Sequence, residues 1–189
     1  MIFGFIGMPA TGKSTLMLAI RRELARHRHL STGKFGLVSY ERWASMSAEA
    51  TVDEWPTVFT MGIYEPGEPF PGTDKLSMAV QPVAVKFCKR VADSQHVLFE
   101  GDRLTTASFL EAIKPMGLKL FVCEVKCELR TERAEIRGAS NQSDSWLKGR
   151  QTKLQGIMER FEYEVLALDT KEHTEVIARD IATRLRGPV

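Results

Sequence analysis

The sequence predicts an α/β protein: a doubly wound parallel five-stranded sheet of the P-loop type with an arginine-rich helical lid. Three observations predict it. Short apolar runs alternate with helical patterns, as parallel strands covered by helices on both faces require. A phosphate-binding motif, Gly7-Met8-Pro9-Ala10-Thr11-Gly12-Lys13-Ser14, sits at the first strand–helix junction. Lysines and arginines gather over residues 126–153.

The elements follow in order. Ile2–Ile6 is continuously apolar, as expected of a buried parallel strand. Residues 14–28 place Leu16, Ala19, Ile20 and Leu24 at helical spacing. A second strand is expected over 35–40 and a weakly patterned helix over 43–54. Residues 57–64 have strand composition but are expected off the main sheet. Residues 65–73, with Pro66, Pro69 and Pro71, read as a loop. A helix over about 77–93 precedes the buried strand His96–Glu100. A short helix over 106–114 stops at Pro115, and a strand covers 118–125. A charged helix to Arg137, a polar loop over 138–145 and a helix over 146–161 follow. A strand over 164–168 and a helix over 172–186 complete five parallel strands.

At 189 residues the chain fits one domain spanning 1–189, with an acceptor-side insertion at about 41–80 and a lid at about 126–153. A chain of that size buries roughly 70% of its unfolded surface and needs no staples. The net charge of +2 is too weak by itself to argue for nucleic acid. Cys88, Cys123 and Cys127 show neither a C-x-x-C pair nor zinc spacing, so they read as reduced, buried thiols of a cytoplasmic protein. The apolar start is broken by Gly7, Pro9 and Lys13, far short of a membrane span or a secretion signal. No membrane partner is expected.

Each residue of the phosphate motif has a reason. The glycines let the backbone curl so that several N–H groups face phosphate oxygens. Lys13 neutralises β- and γ-phosphate charge, Ser14 offers a hydroxyl to Mg²⁺, and the helix that starts there adds its positive end. Gly7, Ala10, Thr11, Gly12, Lys13, Ser14 and Thr15 are therefore the ATP-binding set, with Arg133 reaching in from the lid. A GTPase should carry N-K-x-D after a buried strand; the sole asparagine, Asn141, stands in Asn141-Gln-Ser-Asp144. Motors and helicases need more chain. A kinase using ATP and Mg²⁺ remains, and an NTP-binding module without chemistry is the alternative.

Two acids and an arginine follow the strand His96–Glu100, at the sheet edge where doubly wound proteins bind ligands. Glu100-Gly101-Asp102-Arg103 resembles the D-G-x-x-R of adenylate-type kinases and the D-R of thymidylate-type kinases without matching either. Glu100 is assigned to magnesium, Asp102 to acceptor or base work and Arg103 to the acceptor. A solvated turn is the plain alternative. Downstream, Arg130, Arg133 and Arg137 share one helical face, with Glu128, Glu132 and Glu135 interleaved. They read as a lid closing over the triphosphate, Arg133 and Arg137 foremost, or as a salt-bridged exposed helix.

Transfer to a hydroxyl gains from a carboxylate that takes its proton. Glu41, just past the second expected strand, and Asp74, after the proline loop, are candidates; either could be a cap or surface charge. Trp43, Trp55, Phe59 and Tyr64 could stack on a base but suit a core equally. Arg21, Arg22, Arg26, Arg28 and Lys34, with two histidines nearby, form a solvated helix face or a nucleic-acid footprint.

Several stretches together resemble the P-loop kinases of bacteriophages with hypermodified DNA. They are Phe5-Ile-Gly-Met-Pro-Ala-Thr-Gly-Lys-Ser-Thr15, Pro71-Gly-Thr-Asp-Lys-Leu-Ser-Met-Ala-Val-Gln81, Leu98-Phe-Glu-Gly-Asp-Arg103 and Trp146-Leu-Lys-Gly-Arg-Gln-Thr-Lys153. That group includes kinases that phosphorylate the hydroxyl of 5-hydroxymethyluracil already in DNA. The resemblance implies a DNA acceptor, the host cytoplasm as location, and Asp74, Glu100, Asp102, Arg103 and Arg150 as active-site residues. A kinase of a free nucleoside, nucleotide or other small hydroxyl compound is the alternative. Oligomeric state is not legible.

Overall fold

The computed structural model describes residues 1–46, 56–65, 72–136 and 143–187. The chain runs β1 (Ile2–Ile6), α1 (Lys13–Ala25), β2 (Arg28–Phe35), β3 (Val38–Ser45), β4 (Val58–Met61), α2 (Gln81–Val91) and β5 (His96–Glu100). It continues through α3 (Ala107–Ile113), β6 (Leu118–Glu124), α4 (Cys127–Ile136), α5 (Asp144–Met158), β7 (Tyr163–Ala167) and α6 (Lys171–Arg184). A single 3₁₀ turn at Thr73–Lys75 precedes α2.

The strands form one sheet in the order β2-β3-β4-β5-β1-β6-β7. From β4 to β7 all neighbours are parallel, whereas β3 is antiparallel to both β2 and β4. Successive side chains of a strand point to opposite faces, and β1 feeds both layers that way. Ile2 and Ile6 pack with Val97, Phe99, Phe109 and Ile157 on one face. Phe3 and Phe5 pack with Leu16, Ile20, Phe121 and Ile181, under α1 and α6, on the other. Phe5 and Phe121 stack at 5.3 Å between ring centroids. Both faces of β1 and β5 are buried, which is why β1 reads as an unbroken apolar run and β5 carries the apolar centre Val97-Leu98-Phe99.

The sheet has seven strands where five were expected. The difference lies on one side. The expected strand over 35–40 is the tip of a β2–β3 hairpin turning at Gly36 and Leu37, with Phe35 paired to Val38. Most of β2 is solvent-exposed on both faces. An edge strand wetted on both faces has no hydrophobic period to detect, so residues 29–34 were assigned to no element. Part of the helix expected over 43–54 is the end of β3, and residues 47–55 lie outside the described residues. The segment expected off the sheet contains β4, which pairs in parallel with β5 through Val58, Phe59 and Thr60.

The segment expected to form a lid is, as far as it is described, the two helices α4 and α5. Residues 137–142 between them, Arg137 included, lie outside the described residues. Cys88 and Cys123 are buried as expected, but Cys127 is exposed at the start of α4. Among the described residues no helix is long and apolar enough to cross a membrane.

Candidate active site

The chain leaves β1 toward the β2–β4 side and leaves β5 toward β6, on the opposite side. β1 and β5 are neighbours, with Phe5 in register with Glu100. Their two outgoing loops therefore diverge, and the gap between them is a ligand crevice of the kind doubly wound sheets form at their strand ends. The phosphate motif occupies the first loop and Glu100-Gly101-Asp102-Arg103 the second.

The motif folds as its residues require. Gly12 adopts φ +90°, which an L side chain tolerates poorly, and Ala10 stands at φ +62°. Gly12 leads into α1 without any side-chain cap, so the first N–H groups of that helix remain available to an anion. Lys13 curls over the loop, its Nζ donating to the carbonyls of Gly7 (3.0 Å) and Met8 (2.7 Å). The Thr11 hydroxyl donates to the Met8 carbonyl at 2.9 Å.

A cavity of about 480 Å³ opens against this loop, lined by Lys13, Ser14, Asp74, Glu100, Asp102 and Arg103, with Trp146, Arg150 and Lys153 from α5. Glu100 is 1% exposed and accepts hydrogen bonds at its Oε1 from Ser14 (3.4 Å) and Tyr64 (3.3 Å). Burial pushes its carboxyl up to about 7, and the Asp74 carboxylate adds to the rise; Lys13, Tyr64 and Ser14 pull the other way. Burial, aided by Glu100, also drives the Tyr64 phenol well above its usual range, so it stays a donor. Asp102 pairs with Arg150 and, at 3.1 Å, with Lys153. Burial and the Arg150 guanidinium lower the Lys153 ammonium. The Arg150 guanidinium sits 4.8 Å from the centre of the Trp146 ring. On the outer side of the loop a broader groove is lined by Gly12, Thr15, Arg133, Thr170 and Lys171, and runs on to Arg21 and Trp43.

Glu100 carries a pH signature. A carboxyl whose pKa is higher folded than unfolded favours folding in its protonated form. Its contribution is intact below about pH 4.5 and is lost as pH rises through about 7. Thermal unfolding between pH 5 and 8 should show wild type losing melting temperature as pH rises, and Glu100→Gln should flatten that slope.

The family model P-loop Nucleotide Kinase3 matches residues 1–174. The chain belongs to that family. No curated protein matches it. Among solved structures, a gluconokinase from Sinorhizobium meliloti 1021 is 13% identical, with 97% of this chain and 94% of that one covered and a TM-score of 0.49. The structure titled APE1195 is 11% identical, with 98% and 94% covered and a TM-score of 0.43. Likeness at these scores carries no argument about substrate. Membership of the P-loop Nucleotide Kinase3 family, with the motif at Gly7–Ser14, makes the chain a nucleotide-binding protein of the P-loop kinase-like group.

In this member of the family, Asp74, Glu100, Asp102, Arg103 and Arg150 line one cavity with Lys13 and Ser14, although they come from four separate stretches of chain. Two other candidates lie elsewhere. Glu41 is 1% exposed, and both its oxygens accept from Arg21, at 2.7 and 2.9 Å; one also accepts from the Tyr64 N–H at 2.9 Å. Glu41→Gln would leave the Arg21 charge unpaired against Trp43 and Tyr64. Urea unfolding should show a loss on the order of 3 kcal/mol. Arg133 donates to the carbonyls of Leu168 (2.9 Å) and Asp169 (3.3 Å), on the outer side of the loop rather than over the cavity.

Three contributors had no site role assigned from the sequence: Tyr64, read only as a base-stacking or core aromatic, and Trp146 and Lys153. Trp146, Arg150 and Lys153 stand four and three residues apart, so one face of α5 meets the cavity, and that spacing was a readable signal. Nothing local marks Tyr64, whose contact with Glu100 spans 36 residues.

Proposed function

We propose that this protein catalyses Mg²⁺- and ATP-dependent phosphoryl transfer to a hydroxyl group. The observation that carries the reading is the state of Asp74. It lines the same cavity as Lys13, and among the described residues its carboxylate makes no hydrogen bond or ion pair. Asp102 is engaged by two cations and Glu100 is buried beside Ser14, so Asp74 is the carboxylate left to accept a proton.

The loop Gly7–Ser14 and the first turn of α1 cradle the phosphates, and Lys13 swings from the carbonyls of Gly7 and Met8 to the β- and γ-oxygens. Ser14 and Glu100 fit a Mg²⁺ site. Glu100 Oε2 has no hydrogen bond among the described residues, and one carboxylate plus a hydroxyl, completed by phosphate and water, is an ordinary magnesium set. The ion would offset phosphate charge and the cost of burying an ionised Glu100. The acceptor oxygen bonds to the γ-phosphorus as the bond to the β–γ bridging oxygen breaks; ADP leaves, and the hydroxyl proton passes to Asp74. Arg150 and Lys153 supply positive charge at the transferring group, and Arg103 faces the acceptor.

The resemblance to phage kinases points to the 5-hydroxymethyl group of hydroxymethyluracil in DNA, and the Trp146–Arg150 stack offers a flat face for a base. A free nucleoside, nucleotide or other small hydroxyl compound is favoured by a different observation. Of the basic cluster around α1, Arg21 pairs with Glu41, Arg22 with Glu175 and Arg26 with Glu23. Arg28 is buried on the carbonyls of Trp43 and Leu185. Those cations form no phosphate track.

The deciding measurement is transfer from γ-labelled ATP to a hydroxymethyluracil duplex, a thymine duplex, and the free hydroxymethyl nucleoside and its monophosphate. Label in the first alone supports the DNA acceptor; label in the free compounds alone selects the small acceptor. ATP binding without label in any acceptor would overturn the kinase reading in favour of a binding module.

A further inference from the structure

After β4 the chain leaves the sheet and returns to the cavity rim at Asp74. The outgoing limb passes Tyr64 and the returning limb passes Thr73, and both are fastened to the same residue. The Tyr64 hydroxyl donates to Glu100 Oε1 at 3.3 Å, and the Thr73 hydroxyl donates to the Glu100 main-chain carbonyl. Both residues are buried, at 1% and 0% exposure, and neither lines the cavity. The limbs also clasp each other. The Gly72 N–H donates to the Ile63 carbonyl at 2.9 Å, and Gly72 presses so close to the Tyr64 ring that a Cβ there would lie 2.4 Å from it. The Gly62 N–H, donating to the Ser39 carbonyl at 2.7 Å, and the Tyr64 N–H, donating to Glu41, hold the outgoing limb to β3.

Packing alone does not account for the two hydroxyls. A phenylalanine would fill the space of Tyr64, and a valine that of Thr73, without a buried donor to satisfy. Both donors are spent on Glu100. Tyr64 and Ser14 share Oε1, which leaves Oε2 unbonded, while Thr73 secures the backbone of Glu100 one residue before Asp74.

We propose that Tyr64 and Thr73 are positioning residues, which tie the acceptor-side carboxylate Asp74 to the metal-side carboxylate Glu100 and hold the two at one spacing. The assignment rests on the kinase reading above. Neither residue touches substrate; they act through Glu100 and Asp74. Partners that orient a metal-holding carboxylate typically cost ten- to a hundredfold when removed, and a misplaced reacting group costs about as much.

The test uses the full chain with Tyr64→Phe, Thr73→Val and Thr73→Ser, read two ways. In steady-state transfer, Tyr64→Phe and Thr73→Val should lower kcat about tenfold or more with KM for ATP within about twofold. Thr73→Ser, which keeps the hydroxyl, should restore most of the rate. In hydrogen exchange, the Gly72 and Leu76 amides should lose protection in Tyr64→Phe and Thr73→Val, while β1 and β5 stay as in wild type. Unchanged kcat and unchanged protection in both variants would overturn the assignment. Equal loss in Thr73→Val and Thr73→Ser would do so too, since it would make Thr73 a packing residue. Failure of the kinase reading looks different: wild type transfers nothing to any acceptor. The exchange measurement then still decides whether the limbs are anchored on Glu100.

Discussion

Lys13→Ala should abolish phosphoryl transfer, lowering kcat/KM by at least about 10³-fold, with the fold intact. Its ammonium is the cation of the phosphate loop and can reach the bridging and γ-oxygens only by leaving the carbonyls of Gly7 and Met8. Preorganised charge at the transferring group acts in a site that excludes water, and a single donor of this kind is worth on the order of 10²–10³ in rate. In the proposed mechanism Lys13 also holds the phosphates, so the loss should appear in both KM and kcat. Lys13 is not a core residue, so melting temperature should change little. Label transfer from γ-ATP by the purified variant is the measurement; an unaffected rate would remove the kinase reading altogether.

Asp74→Asn should lower kcat by roughly 10²–10⁴-fold, the usual worth of a positioned general base, and leave KM for ATP nearly unchanged. The amide keeps the size and one acceptor oxygen but cannot take up a proton. The companion Asp102→Asn should behave otherwise. It releases Arg150 and Lys153, which hold α5 on the loop after β5, so the acceptor KM should rise as well. A loss of less than about tenfold in Asp74→Asn, with the larger loss in Asp102→Asn, would move the base role to Asp102. The acceptor distinguishes the cases further: a phosphate acceptor needs cations more than a base, so an inert Asp74→Asn change would argue for a phosphate instead of a hydroxyl.

Much of this site was legible because the phosphate motif is local. Its eight residues are contiguous, and the strand before and helix after it declare themselves by apolar period. Glu100, Asp102 and Arg103 could be found because they end or directly follow the buried strand His96–Glu100, and strand ends are where such sheets bind ligands. Asp74 was a candidate base from its place after the proline loop, Arg150 entered through the resemblance, and the cavity brings both to Lys13. The β2–β3 hairpin was not legible. Its outer strand is wetted on both faces and carries no alternation, and this strand together with β4, expected off the sheet, left the strand count short by two. The role of Glu41 was not legible either, since a carboxylate past a strand looks the same whether it faces substrate or an arginine. Only the approach of α1 to β3, which brings Arg21 within 2.7 Å, distinguishes them. Arg133 shows the same limit: helical spacing set its face, while its partners at Leu168 and Asp169 lie 35 and 36 residues away.

The sequence by itself determined the layered α/β architecture, the phosphate loop and the acidic edge after β5, because each is written in consecutive residues whose period or spacing carries the physics. The tertiary structure alone decided which carboxylate is paired, which is buried and which lines the cavity with no hydrogen bond or ion pair among the described residues. It also decided that Tyr64 and Thr73 meet at Glu100. Those outcomes depend on charges and hydroxyls brought together from distant strands, and the energy of a buried charge is set by its neighbours in space rather than along the chain.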